Sequence, residues 1–290
     1  MPQPEFLRCS AGTLPPGTPA ILREAYIQHA DAMYPFLARR SVFLIARRGD
    51  RAVRIGAGTV ILVGDTLLVA TAAHLFEDVD PRETWVLPFD CNQEARVPVR
   101  DCGLDAAADV GWLELDRDRW QSMCQWLPAR TADLRGGQTE IDDVVAVFGY
   151  PGELLRRPTR EEPSNGIVPL CLLGGTVSVG RWPEHKLGTP PRLKVDLMMD
   201  YLPGGPLDGD PMLRQVPSPE GMSGGGVWDI RSKRPGVWAP DNAELIGIQT
   251  AWYRPQRLLR ATQVQHWVAC VRCDRPELSK GFRRARPRRA

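Results

Sequence analysis

From Ser41 onward the chain is written in short runs rich in Val, Ile, Leu, Phe, Trp and Thr, each closed by Gly, Asp or Pro, and this grammar admits few folds. SVFLIAR, VRIGAGTVILVG, TLLVAT, TWVLPF and VGWLEL make one series, with Gly64-Asp65 between two of them as a hairpin signal. A polar stretch, ARTADLRGGQTEID (129–142), leads to a second series: VVAVFGYP, CLLGGTVSVG, RLKVDLMMD, GGGVWD, ELIGIQTAWY and RLLRAT. A doubly wound sheet would need helices between these runs, and none is written there. Two series of about six strands, each roughly 100 residues long, predict an all-β protein of two six-stranded antiparallel β-barrels.

Helices are expected only at the ends. PAILREAYIQHADAMYPFLARR (19–40) places Ile21, Leu22, Ala25, Tyr26, His29, Ala30 and Met33 at helical spacing, and QVQHWVACVRC (263–273) does the same with Val264, Trp267, Val268 and Val271. The chain thus divides into an extension with an N-terminal helix (1–40), a first barrel (41–128), a second barrel with its closing C-terminal helix (129–274) and a basic tail (275–290).

With 43% hydrophobic residues in 290, the chain can bury a substantial core. Its longest apolar runs, TVILV and TLLVATAA, are too short to span a bilayer, and the start lacks the basic, apolar and small-residue pattern of a secretory leader. A soluble, cytoplasmic protein with no membrane partner is expected. Seven cysteines, an odd number without a compact framework, fit reduced thiols. A net charge of +2 makes no case for nucleic acid, and KGFRRARPRRA (280–290) reads as a solvated basic tail rather than a phosphate-binding element.

The chemistry begins at TAAH, where His74 ends an apolar run. A buried imidazole needs a hydrogen-bond partner, and one that acts as a general base needs a carboxylate to fix its tautomer and a hydroxyl or thiol to activate. ADVGWLEL puts Asp109 at the mouth of a strand, and GMSGGGVWD puts Ser223 in a glycine-rich turn just before another. TAAH, DVGWLEL and GMSGGG, in that order, resemble the trypsin-like (chymotrypsin-fold) serine peptidases in a cytoplasmic, bacterial-type form. GAGTVIL, FGYPG, ELIGIQT and RLLRATQVQHWV resemble further segments of that family, so the likeness runs from about residue 40 to 270, over both barrels.

The resemblance implies a triad of His74, Asp109 and Ser223 and an oxyanion hole from the N–H groups of Gly221 and Ser223, each donor worth about 3 kcal/mol at the transition state. It implies that Thr250 adds a hydrogen bond to Asp109. Pro217 stands where relatives that cut after basic residues carry a pocket acid, with Glu220 too close to the turn to replace it. Ala251 and Trp252 fall on the pocket wall, Trp252 in place of a common glycine, which implies a narrowed pocket and a small or apolar residue before the scissile bond. Asp208 and Asp210 have no assignable place. Leu75 follows His74 where secreted relatives carry cysteine, and no activation cleavage motif is evident, so restraint is expected from the N-terminal helix or a regulatory protein partner.

His266, Cys270 and Cys273 recur at helical spacing and could face a metal, but a fourth ligand is not evident and packing explains them as well. No metal or organic cofactor is expected. His29 and His185 read as structural or surface residues. The reading is a serine endopeptidase acting on protein or peptide substrates; its rival is a catalytically silent double barrel serving as a protein-binding module with Trp252 filling the pocket.

Overall fold

The computed structural model describes residues 20–88, 96–124, 128–136, 144–154, 169–183, 190–201, 216–232 and 237–282. The lead before residue 20, the tail beyond 282, His185, Asp208 and Asp210 lie outside the described residues.

Alternation of apolar and small residues turns the first series into β1 (Ser41–Arg48), β2 (Arg51–Val63), β3 (Thr66–Thr71), β4 (Thr84–Pro88), β5 (Val97–Asp105) and β6 (Val110–Leu115). They pair in the order β1-β4-β5-β6-β3-β2, and β2 returns to β1, so the sheet closes on itself. Gly64, at φ 61°, makes the β2–β3 turn that its sequence signalled. Val42, Leu44, Val60, Val69, Leu113 and Leu115 fill this first barrel. A two-residue strand, β7 (Ala129–Arg130), adds to β2 in parallel.

The second series gives β8 (Val144–Gly149), β9 (Leu170–Gly175), β10 (Asp196–Asp200), β11 (Gly226–Asp229), β12 (Glu244–Tyr253) and β13 (Leu258–Gln263). Their order is β10-β13-β12-β11-β8-β9, and the edges curl until Thr176 bridges Met199. Val145, Leu172, Met199, Val227, Ile246 and Leu259 form its interior. A third cluster lies between the two sheets and includes Ile61, Leu68, Phe148, Trp228 and Trp267. The architecture is the all-β double barrel expected of a chymotrypsin-like fold.

Helix α1 (Ala20–Ala38) buries Ala30, Met33 and Leu37, and sets Tyr34 edge-on to Phe148 and Phe36 edge-on to Trp228. The short α2 (Arg117–Met123) starts at Asp116, whose side chain accepts the Arg119 N–H. Helix α3 (Val264–Asp274) buries Val264, Trp267, Cys270 and Val271. No helix among the described residues is long and apolar enough to cross a membrane. Two elements of the first barrel differ from the sequence expectation. β5 carries Pro98, Arg100, Asp101 and Gly103 and is only partly buried, so its apolar alternation is blurred. α2 buries only Trp120 and shows no apolar stripe.

Candidate active site

β3 ends at Thr71, and the chain passes through Ala72 into a short 3-10 helix, Ala73–Phe76, that lifts His74 out of the barrel with its side chain 33% exposed. Asp109 sits in the turn between β5 and β6 at φ 56°, a left-handed conformation that aspartate tolerates better than most residues. Both barrels hold that turn: Asp105 accepts the Ala108 N–H at 2.9 Å, the Thr262 hydroxyl from β13 donates to the Ala108 carbonyl at 2.8 Å, and Arg192 donates to the Ala107 carbonyl. The Asp109 carboxylate then meets His74 along its backbone and its ring. Oδ1 accepts the His74 backbone N–H at 3.0 Å, and Nδ1 lies 3.0 Å from Oδ1 and 3.1 Å from Oδ2. An ionised carboxylate only accepts, so Nδ1 is the ring nitrogen that donates to it, and Nε2 faces away.

The backbone of Ser223 packs closely on β2. Its carbonyl accepts the Ala57 N–H at 2.8 Å, and the point where a Cβ would stand on Gly56 is 2.7 Å from that carbonyl and 2.6 Å from Leu75, the residue after His74. A side chain at position 56 would wedge the two apart, which gives the Gly-x-Gly of β2 its physical reason. Gly224, at φ 87°, presses on the Ala57 carbonyl and the Thr71 hydroxyl, so a Cβ there would collide with β2 and β3.

Within residues 221–225, the N–H groups of Met222, Gly224 and Gly225 all find acceptors (Pro219, Gln249 and Met222 carbonyls, 2.8–3.0 Å). Those of Gly221 and Ser223 find none among the described residues. Their directions are set by their own peptide planes, because N–H and C=O point oppositely across a trans peptide. The Glu220 carbonyl accepts the Gly152 N–H at 2.7 Å, and the Met222 carbonyl accepts the Gly225 N–H at 2.9 Å, so each remaining N–H is turned away from a bonded carbonyl. Gly221 itself takes φ 90°, open to glycine and strained for any other residue.

Behind this loop lies Arg54 of β2, re-aimed where the β1–β2 register shifts at Leu44/Ile45. Its NH2 donates to the Gly221 carbonyl at 2.8 Å, while Nε and NH1 are buried without acceptors among the described residues. Burial pushes its guanidinium down to about 10, with Tyr150 pulling weakly the other way. Tyr150, also buried with an unsatisfied hydroxyl, is held well above the usual phenol range.

Thr250 departs from its expected role. Its hydroxyl lies at the bulge where β12 slips against β13 and accepts from Arg260 Nε at 3.2 Å, and it makes no bond to Asp109. Arg260 stands between them, with NH2 3.5 Å from Asp109 Oδ2. Pro217 is buried, and its carbonyl accepts the Tyr201 hydroxyl at 2.6 Å. Trp252 packs on the second-barrel core with its ring 6.3 Å from that of Tyr201, and the Ala251 carbonyl accepts from the Gln249 side chain at 3.2 Å. Glu220 is exposed.

His266, Cys270 and Cys273 are not brought together as a ligand set. His266 Nε2 lies 3.0 Å from the Lys194 carbonyl, Cys270 is buried against Asp274, which with burial pushes its thiol up to about 12, and Cys273 is exposed. His29 rests edge-on against Trp238, and burial lowers its basicity. Arg54 and Arg260 were not singled out in the sequence. A lone charge inside each of the apolar runs VRIGAG and LLRAT was the available signal.

The serine loop belongs to one barrel and the carboxylate-held histidine to the other. Solved structures of proteases match the fold. The Vibrio cholerae VesB protease is 13% identical with a TM-score of 0.52, over 82% of this chain and 64% of that one, so the chain spans less than two thirds of VesB. The Rv3671c protease from M. tuberculosis matches in its active form (14% identity, TM-score 0.46, 82% of each chain) and in an inactive serine-to-alanine form (11%, 0.48, 86% of this chain and 90% of that one). No protein-family profile and no curated protein sequence matches the chain. At 13% identity the likeness to VesB establishes the fold, and the chemistry must come from the residues.

Proposed function

We propose that the chain is a trypsin-like serine endopeptidase. Ser223 Oγ attacks the peptide carbonyl while His74 Nε2 takes its proton, and Asp109 holds the ring and stabilises the imidazolium. The N–H groups of Gly221 and Ser223 receive the oxyanion. Collapse breaks the C–N bond, His74 returns the proton to the leaving amine, and water activated by the same base cleaves the acyl-enzyme and restores Ser223. No step calls for a metal or organic cofactor.

The observation that carries this reading is the loop around Ser223, in which the two N–H groups without acceptors among the described residues are those of Gly221 and Ser223, each aimed by a bond on its own peptide carbonyl. Two half-buried N–H donors in a glycine-rich serine loop suit a developing oxyanion, which favours the peptidase over the binding module. Trp252, half-buried on the second-barrel core against Tyr201, supports a narrowed apolar pocket, hence cleavage after a small or apolar residue. A cytoplasmic setting, with restraint by the N-terminal extension or a protein partner, belongs to the same proposal. The test is a fluorophosphonate probe: labelling of the wild type and not of Ser223→Ala supports the peptidase. A folded wild type that stays unlabelled at all pH values and with cell extract added would leave the silent double barrel.

A further inference from the structure

β13 reads LLRATQ, and all six residues are buried, Arg260 among them at 5% exposure. A guanidinium so far from water is costly unless its charge is matched, and its position shows what matches it. Nε donates to the Thr250 hydroxyl at 3.2 Å, NH2 lies 3.5 Å from Asp109 Oδ2, and the Tyr253 phenol is within hydrogen-bonding reach. The strand belongs to the second barrel and the carboxylate to the first. We propose that Arg260 is a positioning residue that reaches across the barrel interface, pins the Asp109 carboxylate and weakens its hold on a protonated His74, so that the base becomes free at a lower pH. This deepens the peptidase reading and rests on it for its meaning in turnover.

The argument is electrostatic and geometric. Asp109 offers one negative charge to two claimants: Oδ1 takes both the backbone N–H and Nδ1 of His74, while Oδ2 faces Nδ1 and the guanidinium together. A fixed cation on the far side of the carboxylate opposes a second cation forming on the imidazole. Other charged groups face the site from every neighbouring element. Arg192 and Asp196 pair with each other at 3.5 Å, so their charges largely cancel. Asp105 is engaged with the Ala108 N–H, and Glu77 follows on the His74 helix with its N–H on the His74 carbonyl. Arg54 lies across the nucleophile loop on Gly221. Tyr253, raised by burial and drawn down in part by Arg260, stays a neutral phenol near pH 7. Among the described residues Arg260 is the cation in contact with Asp109.

The pinning also has a mechanical side. Asp109 holds φ 56°, and the adjoining Ala108 carbonyl is tied to Thr262, two residues beyond Arg260 on β13. One strand of the second barrel therefore fixes both the backbone and the carboxylate of a first-barrel residue.

The test is an NMR titration of the imidazole resonances of the full chain, with His74→Gln assigning the signal, in the wild type, Arg260→Met and Arg260→Lys. In Arg260→Met the His74 midpoint should rise by about one pH unit, and Arg260→Lys should hold it within roughly 0.3 of the wild type. The sign follows from the charge: removing a nearby cation favours the imidazolium, so less free base is present at a given pH. The acidic limb of kcat/KM should move up with it, leaving about a fifth to a tenth of wild-type activity at pH 6 and a smaller deficit at pH 8.5. Should Arg260→Met fail to fold, Thr250→Val removes the hydroxyl that aims the guanidinium and should shift the midpoint in the same direction by less. A folded Arg260→Met, or Thr250→Val in its place, with an unmoved His74 midpoint overturns the proposal. The titration needs no turnover, so a shift without peptidase activity would uphold the contact while removing the peptidase reading, and turnover without a shift would do the reverse.

Discussion

The two halves of the site are built by different means. On the first barrel, His74 and Asp109 are held by side-chain bonds: a carboxylate takes the ring and backbone of His74 at 3.0–3.1 Å, while from the other barrel Arg260 braces that carboxylate and Arg192 the adjoining Ala108 carbonyl. On the second, the loop from Gly221 to Gly225 is held chiefly by backbone bonds, with glycines at φ 90° and 87° where it turns. The difference predicts how each half fails. The base should be lost by changing a side chain at constant backbone, and the oxyanion donors by changing the backbone at constant chemistry.

The largest effect should come from the first half. Asp109→Asn keeps the size of the side chain and presents an amide donor to Nδ1, which drives the proton to Nε2 and removes the acceptor for the Ser223 hydroxyl. A fall of about four orders of magnitude in kcat, with KM within a few fold, is expected from steady-state kinetics on a peptide substrate. A loss under tenfold would mean that His74 does not act as the base.

Next should come the second half. Gly221→Ala forces a Cβ toward the Arg54 guanidinium at a φ that alanine resists, and kcat should drop by about 10² to 10³. Gly152 tests the same donor without touching the loop. Gly152→Pro deletes the N–H that ties the Glu220 carbonyl at 2.7 Å, leaving the Gly221 peptide free to rotate, whereas Gly152→Ala keeps the N–H and places its Cβ a tolerable 3.5 Å from that carbonyl. A loss of about 10²-fold in the proline variant, beside near wild-type rates in the alanine variant, is the expected pattern. Equal rates in the two would sever the proposed link between FGYPG and the oxyanion donors.

This division also explains what the sequence made legible. The second barrel was readable strand by strand because runs such as VVAVFG and ELIGIQTAWY are buried almost throughout, and glycines with φ near 90° leave a written mark. β5 was not, since its pairing to β6 runs through Asp101, Cys102 and Gly103 without an apolar signature and breaks register at Arg100. His74, Asp109 and Ser223 stood out by residue type and order. Arg260 did not, because its role depends on the bulge at Thr250 and on the approach of two barrels, and neither is a property of the local run LLRAT. The direct Thr250 to Asp109 contact failed for the same reason: linear order says which residues are near the site and cannot say which of them touch.

The smallest effect is the most informative about the comparison, because Arg54 is a first-barrel side chain that supports the loop otherwise governed by backbone. It donates to the Gly221 carbonyl at 2.8 Å, yet two of its buried nitrogens find no acceptor among the described residues, and burial draws its guanidinium down to about 10. Such a cation destabilises the fold by something on the order of 2 kcal/mol after allowance for residual solvent access. Arg54→Met should therefore act in two directions at once. Thermal unfolding should occur a few degrees higher, as a largely buried charge, held by one carbonyl and the Phe43 ring, is replaced by an apolar chain of similar length. Turnover should fall by about tenfold, as the Gly221–Met222 peptide, next to the donor peptide that Gly152 ties, loses its anchor and the loop loses a nearby positive charge. If stability and turnover fell together, Arg54 would be an ordinary packing residue. If neither changed, the backbone bonds of Gly152 and Gly225 would be holding the loop by themselves, and the contrast between the two halves would be complete.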